Sequence, residues 1–184
     1  MPSVSGLLSV LLLVLTFPGR GGSSPLKPIC DINVLDRFIM EARDTEAAMR
    51  SCKEGCGLMG TYVLPLVRVD FNVWESKDTQ EQAMEVETGL SLLTQTVSAV
   101  RQSVTNVRLQ DLLDNTMSNI LSVRRILRSL QLREQSPSVS RGHTEAVTQE
   151  VSTLSELLHV HTNFLRGKVR LLVVGAPVCQ KTSS

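Results

Sequence analysis

The sequence predicts an all-α protein in which four helices form an up-up-down-down bundle with two long crossover loops. Four segments carry apolar residues at alternating steps of three and four, and the connections between these segments differ in length. Aromatic residues are scarce, at one Trp, one Tyr and four Phe in 184 residues. Leu and Val must therefore supply most of the core, which favours helices over a β-sandwich rich in aromatic and β-branched residues.

The second and third segments have the clearest helical pattern. The second has the a/d stripe of a bundle helix at Ala83, Val86, Leu90, Leu93, Val97, Val100 and Val104. Asp78, followed three residues later by Glu81, can cap its start. The third repeats the stripe at Leu109, Leu113, Thr116, Ile120, Val123, Leu127 and Leu130. Both segments are therefore predicted to be long bundle helices.

The first and fourth helices follow from the same spacing. The first is predicted over residues 31–50, capped by Asp31, with Leu35, Phe38, Ile39, Ala42 and Met49 facing the core. The fourth is predicted from the stripe Val147, Val151, Leu154, Leu158, His161, Leu165 and Leu172.

The lengths of the connections predict the topology. A chain that returns along a bundle of about 30 Å needs at least about nine extended residues. The first connection, residues 51–78, and the third, residues 131–142, meet this requirement, and the first also contains β-like runs at 62–64 and 69–71. The few residues around Asn106 do not meet it, so they join antiparallel neighbours. The up-up-down-down arrangement follows.

The N-terminus has the pattern of a secretory signal peptide. The apolar run at residues 7–15 is too short to span a bilayer, and small residues follow it at 19–24. We expect a leader at residues 1–23 and one domain at 24–184, the alternative for the leader being an amphipathic or core helix. The leader contains one of the 19 basic residues, Arg20, and none of the 18 acidic ones, so the mature chain has a formal net charge of zero. This balance argues against nucleic-acid binding, and no later segment predicts membrane insertion.

The four cysteines indicate two disulfides in an oxidising compartment. Three pairings are possible. Cys52 and Cys56 can close a local loop, which leaves Cys30 near the mature start with Cys179 near the end. The alternative is a metal site, but no CxxC pair or HxxxH arrangement accompanies the cysteines. We expect no metal and no cofactor.

Catalytic motifs are absent from the sequence. His159 and His161 lie two apart on a predicted helix and so face different sides, which makes them a poor metal pair. His161 falls on the apolar stripe, where we expect a core histidine whose hydrogen bonds are satisfied. No nucleophile elbow, phosphate-binding loop or dinucleotide fingerprint occurs, so we expect no enzyme.

Two basic clusters lie on the predicted helix surfaces. The fourth helix carries Arg166, Gly167, Lys168 and Arg170, and the third carries Arg124, Arg125 and Arg128. Cations near a helix C-terminus complement its dipole, which accounts for Arg170 but not for Gly167. Since glycine costs about 1 kcal/mol relative to alanine inside a helix, it is a candidate for close approach by a partner. The third-helix cluster is either a solvated face or a binding surface.

Several stretches resemble the erythropoietin/thrombopoietin family of secreted four-helix cytokines. They are Ile29-Cys30-Asp31, Val34 to Phe38, Glu41-Ala42-Arg43, the Cys52-x-x-x-Cys56 loop, Val63 to Trp74, and Asn163-Phe164-Leu165-Arg166-Gly167-Lys168. The similarity extends over the predicted mature chain and is greater to the erythropoietin branch of the family than to the thrombopoietin branch. It implies a long-chain cytokine fold.

The resemblance also implies a hormone, monomeric when free, that binds two copies of the erythropoietin receptor and promotes red-cell production. Face 1, the tighter face, would consist of Arg68, Phe71, Asn163, Arg166, Gly167 and Lys168. Face 2, the weaker face, would consist of Arg37, Phe38, Ser118, Leu121, Ser122 and Ile126. The alternative function is a secreted carrier of an apolar ligand, with the bundle interior as its pocket.

Two features differ from the mammalian members of that family. Leu121 stands where the mammalian pattern has an arginine, so face 2 would rely on apolar contact or on Arg124 and Arg125. None of the asparagines begins an Asn-x-Ser/Thr sequon, whereas the mammalian proteins are N-glycosylated. The sequence is therefore predicted to be a non-mammalian vertebrate member.

Overall fold

The computed structural model describes residues 28–130, residue 132 and residues 147–180. The predicted signal peptide, His143 and all of the predicted third connection except Leu132 lie outside the described residues. In the part of the chain that is described, no helix is both long enough and apolar enough to cross a membrane.

The first three bundle helices begin at capping residues, two of which, Asp31 and Asp78, are predicted from the sequence. Helix α1, Ile32–Arg50, follows Asp31, whose carboxylate accepts the Asn33 N–H, and α3, Thr79–Ser103, follows the capping box of Asp78 and Glu81. Helix α4, Val107–Ser129, follows Asn106, whose side chain accepts the Leu109 N–H. Each cap satisfies a backbone donor that the first turn leaves free. These are the first, second and third bundle helices, and their prediction is confirmed.

The fourth bundle helix is interrupted by a π-helical turn, and it starts later in the sequence than predicted. It comprises α5, Leu154–Phe164, then a π-helical turn, Leu165–Val169, and α6, Arg170–Gly175. A short helix, α7, follows at Pro177–Gln180. Thr153 and Glu156 form a capping box that begins α5. The prediction that Val147 and Val151 lie on this helix was wrong, because Thr148–Val151 form a strand.

A small sheet joins the two crossovers and adds a β element to the predicted all-α bundle. Strand β1, Tyr62–Pro65, pairs antiparallel with β2, Thr148–Val151, in the register that places Tyr62 opposite Val151. The β-like run at 62–64 is thus confirmed. The run at 69–71 was wrong, because Asp70 accepts two backbone N–H groups and begins helix α2, Phe71–Ser76.

Helix contacts and disulfides agree with the predicted topology. Residues 104–106 connect the antiparallel second and third helices, while the first bundle helix packs against the third and the fourth. Cys30 is bonded to Cys179, and Cys52 to Cys56, as predicted. The first bond joins the start of the first bundle helix to the chain beyond the fourth.

Phe164 is the largest fully buried side chain of the core, and Gly89 makes room for it. Its ring has no exposed area, and a Cβ added to Gly89 would lie 2.3 Å from its Cζ. The predicted inward residues Leu35, Ile39 and Ala42 are buried in the same core. The second and fourth bundle helices therefore approach closely at the point where the ring passes between them.

His161 is buried as predicted, but its hydrogen bonds are not satisfied. Neither ring nitrogen has a partner among the described residues, and only 1% of the residue is exposed. Burial penalises the charged imidazolium and lowers the pKa of His161 from 6.5 to about 4. The prediction of a satisfied core histidine was therefore wrong.

We expect acid to destabilise the protein through His161. Because the pKa is lower in the folded state, this contribution to stability is complete above about pH 6.5 and is lost as the pH falls toward 4. Linkage gives a loss of about 2 kcal/mol between pH 7.5 and pH 5. Urea unfolding at both values should show that the wild type loses about 2 kcal/mol more than His161→Leu. Equal losses would contradict the assignment.

Candidate functional site

Face 1 forms where the first crossover lies against the fourth bundle helix. A Cβ added to Gly167 would lie 3.6 Å from Val69 Cγ2 and 3.8 Å from the Val67 carbonyl oxygen. Arg68, between these two valines, is therefore beside the helix, and it is exposed. Phe71 begins α2 a few residues later and is 59% exposed. The structure thus brings the two distant parts of the predicted face together.

The helical part of face 1 coincides with the π-helical turn. Arg166 is exposed, Asn163 and Gly167 are half-buried, and Leu165 and Val169 on the opposite side are buried. π-Helical turns within α-helices occur frequently at functional sites. A side chain at position 167 would meet only ordinary contacts, so packing does not require the glycine. The missing side chain leaves open the space between the fourth bundle helix and Val69 of the first crossover.

Lys168 is buried, which differs from its predicted place in an exposed face. The residue is 5% exposed, and its Nζ lies 2.6 Å from Glu85 Oε1 and donates to the Leu66 carbonyl oxygen at 2.7 Å. Lys77 also contacts Glu85. Burial alone would raise the pKa of Glu85, but hydrogen bonds from the two ammonium groups outweigh it and hold the pKa below its usual value. An ionised carboxylate therefore partners the buried lysine.

Asn163 belongs to a polar chain that sequence reasoning missed. Its Nδ2 lies 2.8 Å from His159 Nε2, and His159 Nδ1 lies 3.3 Å from Glu46 Oε1 on the first bundle helix. Arg50 contacts the same carboxylate at 3.5 Å. The four-residue spacing of His159 and Asn163 is the signal that could have revealed this contact. This series of polar contacts orients the Asn163 amide at the edge of face 1.

A basic cleft extends face 1 toward the first bundle helix. It has a volume of about 410 Å³ and is lined by Asp36, Ile39, Met40, Arg43, Arg166 and Arg170. Arg170 pairs with Asp36, so its role is more specific than dipole complementation. Arg43 and Arg166 have no ion-pair partner among the described residues. Their unpaired charges make the cleft suited to an acidic group.

Face 2 lies on the seam between the first and third bundle helices. The Ile29 N–H donates to Ser129 Oγ at 3.1 Å, and Asn119 Nδ2 donates to Glu41 Oε2 at 2.7 Å. These contacts fix an antiparallel register. Because Arg37 and Phe38 lie between the two contacts on one helix, and Ser122 lies between them on the other, the predicted parts of the face are adjacent.

The side chains of face 2 differ in exposure. Arg37, Ser118 and Leu121 are exposed, Leu121 by 42%, while Phe38 and Ser122 are half-buried. Ser122 Oγ donates to the Ser118 carbonyl oxygen at 2.9 Å. Ile126 is only 6% exposed and belongs to the core, which differs from its predicted place in the face.

Of the three arginines on the third bundle helix, one forms an ion pair within the bundle and two are exposed to solvent. Arg124 Nε donates to Glu87 Oε1 at 3.0 Å and so joins the third and second bundle helices. Arg125 and Arg128 are exposed and make no ion pair with any described residue. Of the two residues predicted to substitute for an arginine at Leu121, Arg125 is the one whose charge is available.

Neither a carrier function nor a metal site finds support in this geometry. The interior of the described bundle is filled by side chains that include Phe164, Leu90, Leu93, Leu113 and Leu158, all at most 1% exposed. No group of three potential metal ligands occurs within residues 28–130, 132 and 147–180. The arginine-bearing surfaces therefore favour a function in binding another protein.

Comparison with known proteins connects these surfaces to a family. The family model described as erythropoietin/thrombopoietin matches residues 27–182. Erythropoietin of Epinephelus coioides is 50% identical over 179 residues, covering 97% of this chain and 96% of that protein. Erythropoietin of Danio rerio is 49% identical over 177 residues, covering 96% of each chain. Erythropoietin of Felis catus is 34% identical over 177 residues, covering 92% of this chain and 91% of that protein.

The relatives agree with two predictions, that the chain is a non-mammalian vertebrate member of the family and that it is a cytokine and not an enzyme. Identity is higher to the two fish proteins than to the cat protein, as expected for a non-mammalian vertebrate member. The relatives are cytokine hormones and not enzymes. On its fold, its two disulfides and these similarities, the chain belongs to the erythropoietin/thrombopoietin family of four-helix-bundle cytokines.

Proposed function

We propose that the chain is a secreted hormone that binds and dimerises the erythropoietin receptor, and so promotes the survival, proliferation and differentiation of erythroid progenitors. The observation that carries this proposal is the pair of exposed arginine and apolar surfaces on one bundle. Face 1 joins the first crossover to the fourth bundle helix, and face 2 joins the first bundle helix to the third. A rigid bundle with two such surfaces can hold two receptor chains at a defined separation.

Face 1 has the composition of a tight interface. Phe71 presents an exposed ring, and Arg68, Arg166 and Arg43 of the adjoining cleft supply charges that have no ion-pair partner among the described residues. Aromatic and arginine side chains dominate the binding energy of protein interfaces. The complementary receptor surface should be acidic around an apolar centre.

Face 2 should bind more weakly than face 1. Its apolar contacts come from Leu121 and the half-buried Phe38, and its predicted member Ile126 is committed to the core. Arg37 supplies one exposed charge, and Arg125 lies one helical turn beyond Leu121 on the same side. A smaller apolar area and fewer charges support the role of the second, weaker contact.

Secretion is part of the same proposal. Residues 1–23 have the leader pattern, residues 24–184 would form the mature hormone, and the family match begins at residue 27. Two disulfides are typical of small domains in oxidising compartments. The free hormone would be a monomer, since its two faces would be occupied only by receptor chains.

Titration against the erythropoietin receptor ectodomain tests the proposal. We expect one hormone to bind two ectodomains, as measured by light scattering on the eluting complex. Arg166→Glu should weaken the tighter binding step by at least about 30-fold, corresponding to the roughly 2 kcal/mol of an interface hot spot. Arg108→Glu is the matched control, because this exposed arginine lies beside the Cys52–Cys56 loop. Wild-type affinity in Arg166→Glu would remove face 1 from the proposal.

A further inference from the structure

We propose that Glu85, which lies outside both receptor-binding faces, is a positioning residue for face 1. This inference rests on the proposed function. Glu85 is on the second bundle helix, which contributes no residue to either face, and its side chain is 18% exposed. It contacts two lysines that hold the two ends of the crossover segment carrying Arg68 and Phe71.

The first contact fixes the start of this segment. Lys168 Nζ bridges Glu85 Oε1 at 2.6 Å and the Leu66 carbonyl oxygen at 2.7 Å. The Leu66 N–H donates to the Val147 carbonyl oxygen at 2.9 Å, so the Leu66 backbone is held on both sides. Because Arg68 follows two residues later, its position beside Gly167 depends on this anchor.

The second contact fixes the end of the segment. Lys77 is the C-cap residue of α2, the short helix that begins at Phe71, and its ammonium group contacts Glu85. Gln82, one turn before Glu85, donates through Nε2 to the Trp74 carbonyl oxygen at 2.9 Å. The exposed Phe71 ring is thereby presented from a helix whose far end is fixed to the second bundle helix.

Charge makes Glu85 the necessary partner. A buried ammonium group is costly without a counter-charge, and Lys168 has only 7% of its side chain exposed. If the carboxylate is neutralised, two lysines face one another with no acid between them. The least costly relaxation moves Lys168 toward solvent, which breaks its bond to Leu66 and releases the crossover.

The test is a cycle of variants measured against the receptor ectodomain at the tighter binding step. Glu85→Gln and Lys168→Met should each lower the affinity by about tenfold, and the double variant should fall no further than Lys168→Met. Amide hydrogen exchange should accelerate in residues 66–77 and remain unchanged in the third bundle helix. Glu87→Gln is the matched control, because its partner Arg124 lies on the third bundle helix, which contributes no residue to face 1.

The outcomes separate this inference from the proposed function. If Arg166→Glu weakens binding but Glu85→Gln binds like the wild type, Glu85 does not position the face and only this inference fails. If Arg166→Glu also binds like the wild type, face 1 itself is wrong. If Lys168 contacts the receptor directly, Glu85→Gln frees it and affinity should hold or rise, which overturns the inference.

A second variant covers the case in which Glu85→Gln does not fold. Lys77→Met leaves the contact between Glu85 and Lys168 in place and removes only the link to α2. We expect a loss of affinity of about threefold, with faster exchange confined to residues 71–77. Unchanged exchange there together with wild-type affinity would overturn the inference.

Discussion

Replacing Gly89 with alanine should destabilise the bundle by about 1–3 kcal/mol, although the change adds a single methyl group to a helix. The new Cβ would lie 2.3 Å from Phe164 Cζ and 2.8 Å from Cε2, inside any tolerable contact distance. The ring cannot swing away, because it has no exposed area and core side chains surround it. Helix propensity alone predicts the opposite sign, with alanine favoured by about 1 kcal/mol.

Chemical denaturation followed by circular dichroism measures this effect. Gly175→Ala is the matched control, since a Cβ at that helical position meets nothing within 4 Å. The double variant Gly89→Ala/Phe164→Leu should lose less stability than the sum of the two single variants, because the smaller side chain relieves the clash. A Gly89→Ala protein as stable as Gly175→Ala would contradict the packing described here.

The same steric conflict links the core to face 1. Phe164 lies between Asn163 and the π-helical turn that carries Arg166 and Gly167. A displaced ring would move the backbone on which these residues stand. The close approach of the second and fourth bundle helices at Gly89 therefore also supports the position of the proposed face 1.

Local signals in the sequence were sufficient to predict the first three bundle helices. Asp31, Asp78 and Asn106 each precede an apolar stripe, and each accepts backbone N–H groups of the helix that follows. Caps and periodic stripes are properties of neighbouring residues, so they can be read without knowledge of the fold. The unequal connections then limited the topology to one arrangement.

The start of the fourth helix could not be read in the same way. Val147 and Val151 are four residues apart, a spacing that keeps side chains on one face of either a helix or a strand. The strand is selected by pairing with Tyr62–Pro65 in the other crossover, a partner distant in sequence. The capping box of Thr153 and Glu156 was the local signal that marks the true start.

Within the two faces, sequence reasoning located the surfaces but not the burial of every member. Lys168 looked like one more basic residue in a cluster, because the carboxylate that holds it comes from the second bundle helix. Ile126 turns into the core, and both nitrogens of His161 lack the partners expected of a buried histidine. These placements depend on contacts between helices, which neither spacing nor composition reveals.

Arg37→Glu should leave the first receptor-binding step nearly normal and abolish the proliferation of receptor-bearing cells. Arg37 is exposed on the first bundle helix, between the two contacts that join this helix to the third, and it does not line the cleft at Arg166. Reversing its charge would disrupt the proposed weaker face, where few other contacts could compensate. The variant should form one-to-one complexes with the receptor ectodomain at concentrations where the wild type forms one-to-two complexes.

This result would show that binding of one receptor chain and activation of the receptor are separate steps. In the proposed mechanism, face 2 would meet the next receptor at a high effective concentration once face 1 has bound a receptor on a cell, so even a weak second contact would suffice in the wild type. Removing that contact converts the hormone into a competitor, and Arg37→Glu should inhibit wild-type signalling in proportion to its occupancy of the receptor. Arg108→Glu, with the same charge reversal at a site outside both faces, should remain active. A fully active Arg37→Glu protein would exclude Arg37 from the second contact and direct attention to Leu121 and Arg125.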